Sequence, residues 1–371
     1  MKKVLFILHR MYFNGIAKEG GIDFIIRYFR QNNYQIYIIE HPLEDFSYSS
    51  RLIINGKIKK EYQISETPPL RWAKEIFLNK KIIKELKCEF DFAFASDPLN
   101  FLALPYAKKN HFAKYIFLHS TDYSKKRFSN PILNYIYQKI YKNAVTNADM
   151  TTVVSNHVLL MAKKLAPSAK IKFLPNSPSF SEIPKILPKD KNKHSLVITV
   201  GKMSDQIDFD KIITALKILK ERINNICLTI VGNVKDDIVL KIKKENLKTN
   251  IIIKGILPYE KAIGEVSKAY VGIVYYTSKI DHVKYGDSIK IREYAAAGLP
   301  TVCDCITSTS KEMKDYKAGF IVENAKEMSQ RILELMENDT VYNETRNNAL
   351  AWARKLDKIK LLKKLFKDYN L

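Results

Sequence analysis

Lys290 and Glu293 stand three residues apart in the stretch GDSIKIREYAAAGLP, residues 286–300. On a helix that spacing puts both side chains on one face. An ordinary surface ion pair is one use for them. The neighbouring residues suggest another. Gly286-Asp287-Ser288 has the composition of a helix N-cap, so the lysine and the glutamate fall in the first two turns. Free backbone N–H groups and the positive end of the helix dipole favour phosphate there. Lys290 adds a point charge suited to a diphosphate. Glu293 can accept two hydrogen bonds from the vicinal hydroxyls of a ribose. Together these residues have the chemistry of a clamp on a nucleoside diphosphate. Three alanines and Gly298 permit close packing of the helix, and Pro300 closes it.

Such a clamp needs strand ends to stand on. Short β-branched runs alternate with helical stretches along the whole chain, the pattern of α/β folds with parallel sheets. In the first half the strands are read at 4–9, 36–40, 92–96, 115–119, 150–155 and 170–175, with helices at 20–31, 72–87, 99–109, 131–147 and 156–165. Residues 176–194, with three prolines, serines and a charged run, read as a linker. The alternation restarts with strands at 196–201, 227–232, 250–255, 271–276, 300–304 and 319–323, and helices at 208–222, 235–246, 258–268, 288–297 and 325–338. Each half is large enough for one Rossmann-type unit. Ligands of such sheets sit beyond the carboxyl ends of the strands. In the second half those ends carry Gly201-Lys202, Gly232-Asn233, Gly255 and Tyr275-Tyr276. Glycine lets a ligand approach the backbone, and Lys202 can neutralise a diphosphate.

Composition narrows the classes. The 371 residues are 46% hydrophobic, enough for two domains. Four cysteines at irregular spacing exclude a disulfide framework, and Cys303-x-Cys305 has neither redox nor zinc spacing, so a reducing cytosol is expected. The basic start MKKVLFILHR is too short in its apolar run for a signal peptide, and no stretch reaches the ~20 apolar residues of a membrane span. The net charge is +23, and residues 1–180 hold 28 Lys+Arg against 14 Asp+Glu, a net +14. That field attracts nucleic acid, anionic lipid or an acidic small molecule. No nucleic-acid motif accompanies it, so no nucleic acid is expected. Asp208-x-Asp210 has the letters of a metal-binding pair, but it opens a helix, where capping and the dipole account for it. No cluster with metal-ligand spacing exists elsewhere, and a metal-independent reaction is expected.

The stretch DSIKIREYAAAGLPTV, about ninety residues after a strand ending in VGK, closely resembles the donor-binding segment of bacterial GT-B glycosyltransferases. FAFASDPLN (92–100), ADMTTVVS (148–155), LPNSP (174–178) and the Gly20-Gly21 pair agree with it. The resemblance covers most of the chain. It implies two Rossmann-like domains facing across a cleft: an acceptor-binding domain at 1–176, a linker at 177–194, a nucleotide-sugar-binding domain at 195–350, and a basic helix at 351–371 packing back on the first domain. It implies transfer of a sugar from a nucleotide diphosphate, UDP for choice, to a glycan or lipid-linked acceptor of bacterial surface polysaccharide or glycolipid. The resemblance makes Glu293 the ribose ligand, and Lys290 and Lys202 the diphosphate cations, with Asp287, Ser288, Gly201 and Gly255 beside them. Gly20 and Gly21 become the acceptor-domain loop facing the donor phosphates, and His119 the contact to the transferred sugar. Two features depart from the family: Tyr285 replaces the usual glutamate eight positions before Glu293, and a single Lys202 replaces a basic pair. The Asp287-Ser288-x-Lys290 variant is similar to bacterial exopolysaccharide glucuronosyltransferases.

Some such enzymes invert stereochemistry and need a base near the acceptor hydroxyl. Asp122, in HSTDYS after a strand, is the first candidate, Asp97 the second and Glu19 the third; a loop cap or ion pair with Lys125, Lys126 or Arg127 is the alternative for Asp122. His9 ends the first strand and is expected to face a helix. The alternatives in function are a nucleotide-sugar epimerase of the same architecture and a non-enzymatic basic protein that binds nucleic acid or membrane. In the C-terminal segment Trp352, Leu356, Ile359, Leu362 and Phe366 form one helical stripe. The basic groups Lys80-Lys81-Lys84-Lys87, Lys108-Lys109-Lys114 and Lys125-Lys126-Arg127 suit peripheral attachment to the cytoplasmic face of an anionic inner membrane.

Overall fold

The computed structural model describes all residues except Met1, Met11, Asn14, Gly15, 18–20, 44–46, Asp122, Lys202, Met203, Asn370 and Leu371. The chain divides into two compact units. One comprises Met1–Pro175 with Leu361–Leu371, the other Asn176–Lys360.

The first unit runs β1 (Lys3–Arg10), β2 (Tyr12–Phe13), β3 (Ile16–Ala17), α1 (Gly21–Gln31), β4 (Gln35–Pro42), β5 (Ser50–Ile54), β6 (Lys57–Tyr62), α2 (Leu70–Leu86), β7 (Phe90–Ala95), α3 (Pro98–Phe101), α4 (Leu104–Lys109), β8 (Ala113–Ser120), α5 (Pro131–Asn147), β9 (Met150–Val153), α6 (Asn156–Leu165) and β10 (Ile171–Phe173). Among the described residues its main sheet has the order β10-β9-β8-β7-β1-β4-β5-β6. Strands β10 to β4 are mutually parallel, and β5 and β6 add an antiparallel hairpin at one edge. That hairpin was not expected from the sequence, although Asn55-Gly56 between its strands carries a two-residue turn signal, with φ of +50° and +80°. From β1 the chain builds outward to β4 on one side and later to β7 on the other. The β1/β7 boundary is therefore the topological switch point, where ligands of open α/β sheets bind.

The second unit runs β11 (Ser195–Val200), α7 (Phe209–Lys220), β12 (Cys227–Gly232), α8 (Asp236–Lys244), β13 (Ile251–Gly255), α9 (Tyr259–Lys268), β14 (Val271–Val274), α10 (Ile289–Ala296), β15 (Thr301–Cys303), α11 (Ser308–Asp315), β16 (Gly319–Ile321), α12 (Ala325–Glu337) and α13 (Asp339–Lys355). Its sheet has the order β13-β12-β11-β14-β15-β16, parallel throughout. This is the doubly wound 3-2-1-4-5-6 order, with its switch point between β11 and β14.

Two boundaries differ from the sequence reading. Residues 177–194 are no free tether: Ile183 joins the second unit's core, Ser177, Ser179 and Lys191 are buried, and the Phe180 N–H donates to Asp357 Oδ2 at 2.8 Å. The C-terminal stripe is not one helix either. Helix α13 stops at Lys355, and α14 (Lys358–Phe366) begins afresh after Asp357, whose Oδ1 accepts from the Lys360 N–H at 2.9 Å. An aspartate that bonds an N–H three residues on is an N-cap, so the break is written in its side chain. Trp352 consequently belongs to the core of the second unit, while Leu362 and Phe366 belong to that of the first. Phe366 lies 5.1 to 6.1 Å from the rings of Phe29, Phe92, Phe94 and Phe117.

Candidate active site

Helix α10 carries Lys290 and Glu293, and Tyr294 positions it. The Tyr294 hydroxyl accepts from the Thr199 N–H of β11 at 2.8 Å. Its ring lies over β14, so close that a Cβ on Gly272 would come within 2.4 Å of it. One side chain thus spans the two strands of the switch point. Ser288 caps the helix, accepting from the Ile291 N–H at 3.4 Å, and its Oγ lies 2.7 Å from the Tyr276 hydroxyl at the end of β14. At the far end the Leu299 N–H reaches Tyr294 O and the Gly298 N–H reaches Ala295 O, a Schellman cap with Gly298 at φ +69°. The Ala-Gly-Leu-Pro run is the chemistry of that stop.

Glu293 is buried at 6% exposure, and burial pushes its carboxyl up to about 7 against a hydrogen bond from Tyr259 and the charge of Lys290. A carboxyl kept this far from water loses the hydration that would stabilise its charged form, which disfavours ionisation. The Lys290 ammonium sits half-buried, 5.6 Å from the centre of the Tyr276 ring. Gly201 follows β11 directly, and Gly255 ends β13 at φ +67° with open space where a Cβ would stand. Gly201 therefore lies at the switch point, while Gly255 lies two strands away on the sheet edge. Lys202, Gly20 and Asp122 fall outside the described residues, as does Glu19. Gly21 is the first residue of α1.

Asp287 has a different place from the one its position in the motif suggested. Its side chain is wholly buried. Its two oxygens take Arg292 Nη2 at 2.6 Å and Nε at 2.9 Å, the Thr309 hydroxyl at 2.7 Å and the Asn176 N–H at 2.5 Å. Arg292 continues to Glu312 at 3.0 Å, and Glu312 accepts from the Trp352 indole at 3.1 Å. The Asp287 carboxylate holds α10 to α11 and to the Asn176 backbone, and Arg292 and Glu312 carry the network on to α13. Asp304, just past β15, was also missed: it accepts from the Tyr276 N–H and, at 2.7 Å, from the Ile306 N–H. Only its place after a strand could have pointed to it.

At the switch point of the first unit, His9 in β1 lies 2.7 Å from Asp97 Oδ2 through Nδ1 and 3.0 Å from Glu75 Oε2 of α2 through Nε2. Burial lowers the imidazole pKa, but the two carboxylates outweigh it and lift it to about 10, so His9 is an imidazolium at neutral pH. Asp97 also caps α3 through the Asn100 N–H at 2.9 Å, and Glu75 takes the Arg71 Nε at 2.9 Å. Burial works against both carboxylates, and the His9 charge more than offsets it, holding each below its usual range. His41 beside them is pushed down to about 4 by burial and by the His9 charge. Neutral His41 then donates from Nε2 to Asn79 Oδ1 at 2.9 Å and accepts from Ser50 at Nδ1 at 2.8 Å. The expected helix contact of His9 is thus made, and Asp97 is its partner. His119 is fully buried in β8, with Nδ1 2.8 Å from the Thr152 hydroxyl of β9. The Asp208-x-Asp210 pair does open a helix: Asp208 caps α7, accepting from the Lys211 N–H at 3.2 Å, and Asp210 pairs with Lys241.

Residues 179–352 match the family glycosyl transferases group 1. Over 326 residues, 82% of this chain and 83% of the relative, the sequence is 23% identical to the N-acetylgalactosamine-N,N'-diacetylbacillosaminyl-diphospho-undecaprenol 4-alpha-N-acetylgalactosaminyltransferase of Campylobacter jejuni. The fold is similar to that of Anabaena HepE, solved in complex with UDP, with a TM-score of 0.72 at 14% identity over 100% of this chain and 99% of that one. It is also similar to sucrose-phosphate synthase from Thermosynechococcus elongatus, with a TM-score of 0.70 at 13% identity over the same shares of the two chains.

Proposed function

From the premise that this chain is a GT-B glycosyltransferase carrying a group 1 domain, we propose that it moves a sugar from a UDP-linked donor to a lipid-diphosphate-linked glycan acceptor. The observation that carries the donor half is the placement of Glu293 and Lys290 on α10, pinned by Tyr294 across the switch point of a 3-2-1-4-5-6 sheet. The N-terminus of α10 and Lys290 receive the diphosphate, and Glu293 takes the two ribose hydroxyls. Gly201, directly after β11, and Lys202 complete the phosphate site. The UDP bound to HepE and the undecaprenyl diphosphate in the name of the Campylobacter relative support these two substrate classes.

In the first unit Asp97 is an unsuitable base, because His9 and the α3 N–H hold its carboxyl low and occupy its lone pairs. Asp122 is the better candidate to take the acceptor proton. The reaction proceeds without a divalent cation: Asp208 and Asp210 are committed to a helix cap and to Lys241. The protein works at the cytoplasmic face of a membrane. Calorimetry of UDP binding tests the donor half: Glu293→Ala is expected to weaken it ~100-fold, the worth of two hydrogen bonds to a charged group. Unchanged affinity would remove the clamp from the account. Transfer that survives EDTA checks the cation statement, and loss of transfer with intact UDP binding in Asp122→Asn checks the base.

A further inference from the structure

At the amino edge of the second unit's sheet, two cationic side chains are buried without acceptors. Lys191, in the segment that enters β11, is 8% exposed, and its Nζ finds no hydrogen-bond partner among the described residues. Arg346, in the middle of α13, is half-buried, and its buried Nε likewise finds none. Buried polar groups are nearly always hydrogen-bonded, and buried charges are paired. Two exceptions on neighbouring side chains need a cause.

Helix α13 brings them together. Asp339, Tyr342 and Arg346 stand at i, i+3 and i+7, on one face of the helix. Asp339 Oδ1 takes Lys193 Nζ at 2.8 Å. The Tyr342 hydroxyl donates to Tyr270 O at 3.1 Å, and the Tyr270 N–H donates to Ser195 O at 3.0 Å. This face therefore lies along residues 191–195, with its acid already held by Lys193 and with Arg346 beside Lys191. Burial pushes the Lys191 ammonium down to about 7, the Arg346 charge pushes the same way, and among the described residues no carboxylate opposes them. Arg346 Nε also stands 3.3 Å from where a Cβ on Gly298 would be, at the carboxyl end of α10. The negative end of a helix attracts cations, yet no carbonyl there accepts from either nitrogen.

What both groups lack is an anion. An ammonium point charge beside a planar guanidinium fork is suited to a tetrahedral oxyanion, and a dianion matches their combined charge. We propose that Lys191 and Arg346 form a second anion site, for a phosphate group. It lies apart from the donor residues: Lys191 precedes β11 and Gly298 precedes β15, at the amino edge of a parallel sheet, whereas Gly201 follows β11 and Ser288 follows β14, at the carboxyl edge. A phosphate there ties the segment entering β11 to α13 and to the carboxyl cap of α10. It braces from its far end the helix that carries Lys290 and Glu293. Occupancy of this site does not depend on what α10 binds.

The test is calorimetric titration of the full chain with sulfate, a tetrahedral dianion, at about pH 6.5, below the Lys191 value. Saturable binding to the wild-type chain is expected, ~30-fold weaker in Lys191→Met and in Arg346→Gln, the worth of one charge-assisted hydrogen bond. Lys290→Ala is expected to retain it. Without sulfate, Lys191→Met should melt at or above the wild-type temperature, because an apolar chain of similar size replaces an unpaired buried charge. Arg346→Gln changes a half-buried position and repeats the reading without relying on that variant. Inorganic phosphate and glycerol phosphate separate two sources of the same chemistry. Binding of the ester supports a site open to phosphorylated metabolites, and binding of the inorganic ions alone supports one closed around free phosphate. Absence of saturable binding, undiminished binding in both variants, or loss confined to Lys290→Ala, which places the ion at the donor site, would overturn the proposal.

Discussion

Glu293 opposes the fold that holds it. Its carboxyl is raised to about 7 by burial, so the folded state keeps a proton that the unfolded chain releases near its ordinary 4.5. The cost of ionising it in place is absent below pH 4.5, grows between 4.5 and 7, and is complete above 7. Glu293→Gln is therefore expected to raise the stability of the second unit by up to about 3 kcal/mol at pH 8 and by little at pH 4.5. Melting curves at the two pH values check this. The same variant should bind UDP poorly, a gain in stability bought with loss of ligand. Asp287 is the opposite case. Asp287→Asn leaves the buried Arg292 charge without its main partner and is expected to cost 3–5 kcal/mol, ~4 as a central value, whereas Lys290→Ala should change stability by less than ~1 kcal/mol. The sequence placed Asp287, Ser288, Lys290 and Glu293 in one motif, but it could not tell ligand from girder. That distinction depends on Thr309, Glu312 and Asn176, which come from other parts of the chain.

Among the elements, α10 was legible almost residue for residue, because a cap, an alanine run and Gly-Leu-Pro are local signals. What it packs on was not. Tyr294 reads as one more apolar residue until β11 and β14 become neighbours, and their adjacency follows from the strand order of the sheet. Gly272→Ala tests the fit of that packing: the added methyl would meet the Tyr294 ring at 2.4 Å. Displacement of α10 is expected to lower the melting temperature and UDP affinity together, and an unchanged UDP affinity would mean that the helix is not placed by this contact. The His9, Glu75 and Asp97 cluster was illegible for the same reason. Its members stand 66 and 88 residues apart, and only the β1/β7 pairing and the return of α2 bring them together.

Across the whole molecule, the two α/β units were readable from the alternation of strands and helices. Their bounds depend on burial that no local pattern shows. Residues 177–194 look like a tether in composition, yet Ile183 and Ser177 are buried in the second unit. The C-terminal stripe looked continuous, yet Asp357 divides it between two cores. Phe366→Ala is expected to destabilise the first unit by 3–5 kcal/mol, ~4 as a central value, through the cavity left among Phe29, Phe92 and Phe94. A lowered first unfolding transition, with UDP binding at low temperature preserved, checks it. The central claim concerns the donor site, and its most direct measurement is the pH dependence of UDP affinity by calorimetry in the wild-type chain and in Glu293→Gln. The account predicts that wild-type affinity falls as the pH drops below about 7, where Glu293 takes up a proton, and that the variant binds ~100-fold more weakly with that pH dependence gone. Equal affinities and parallel pH profiles for the two proteins would contradict it.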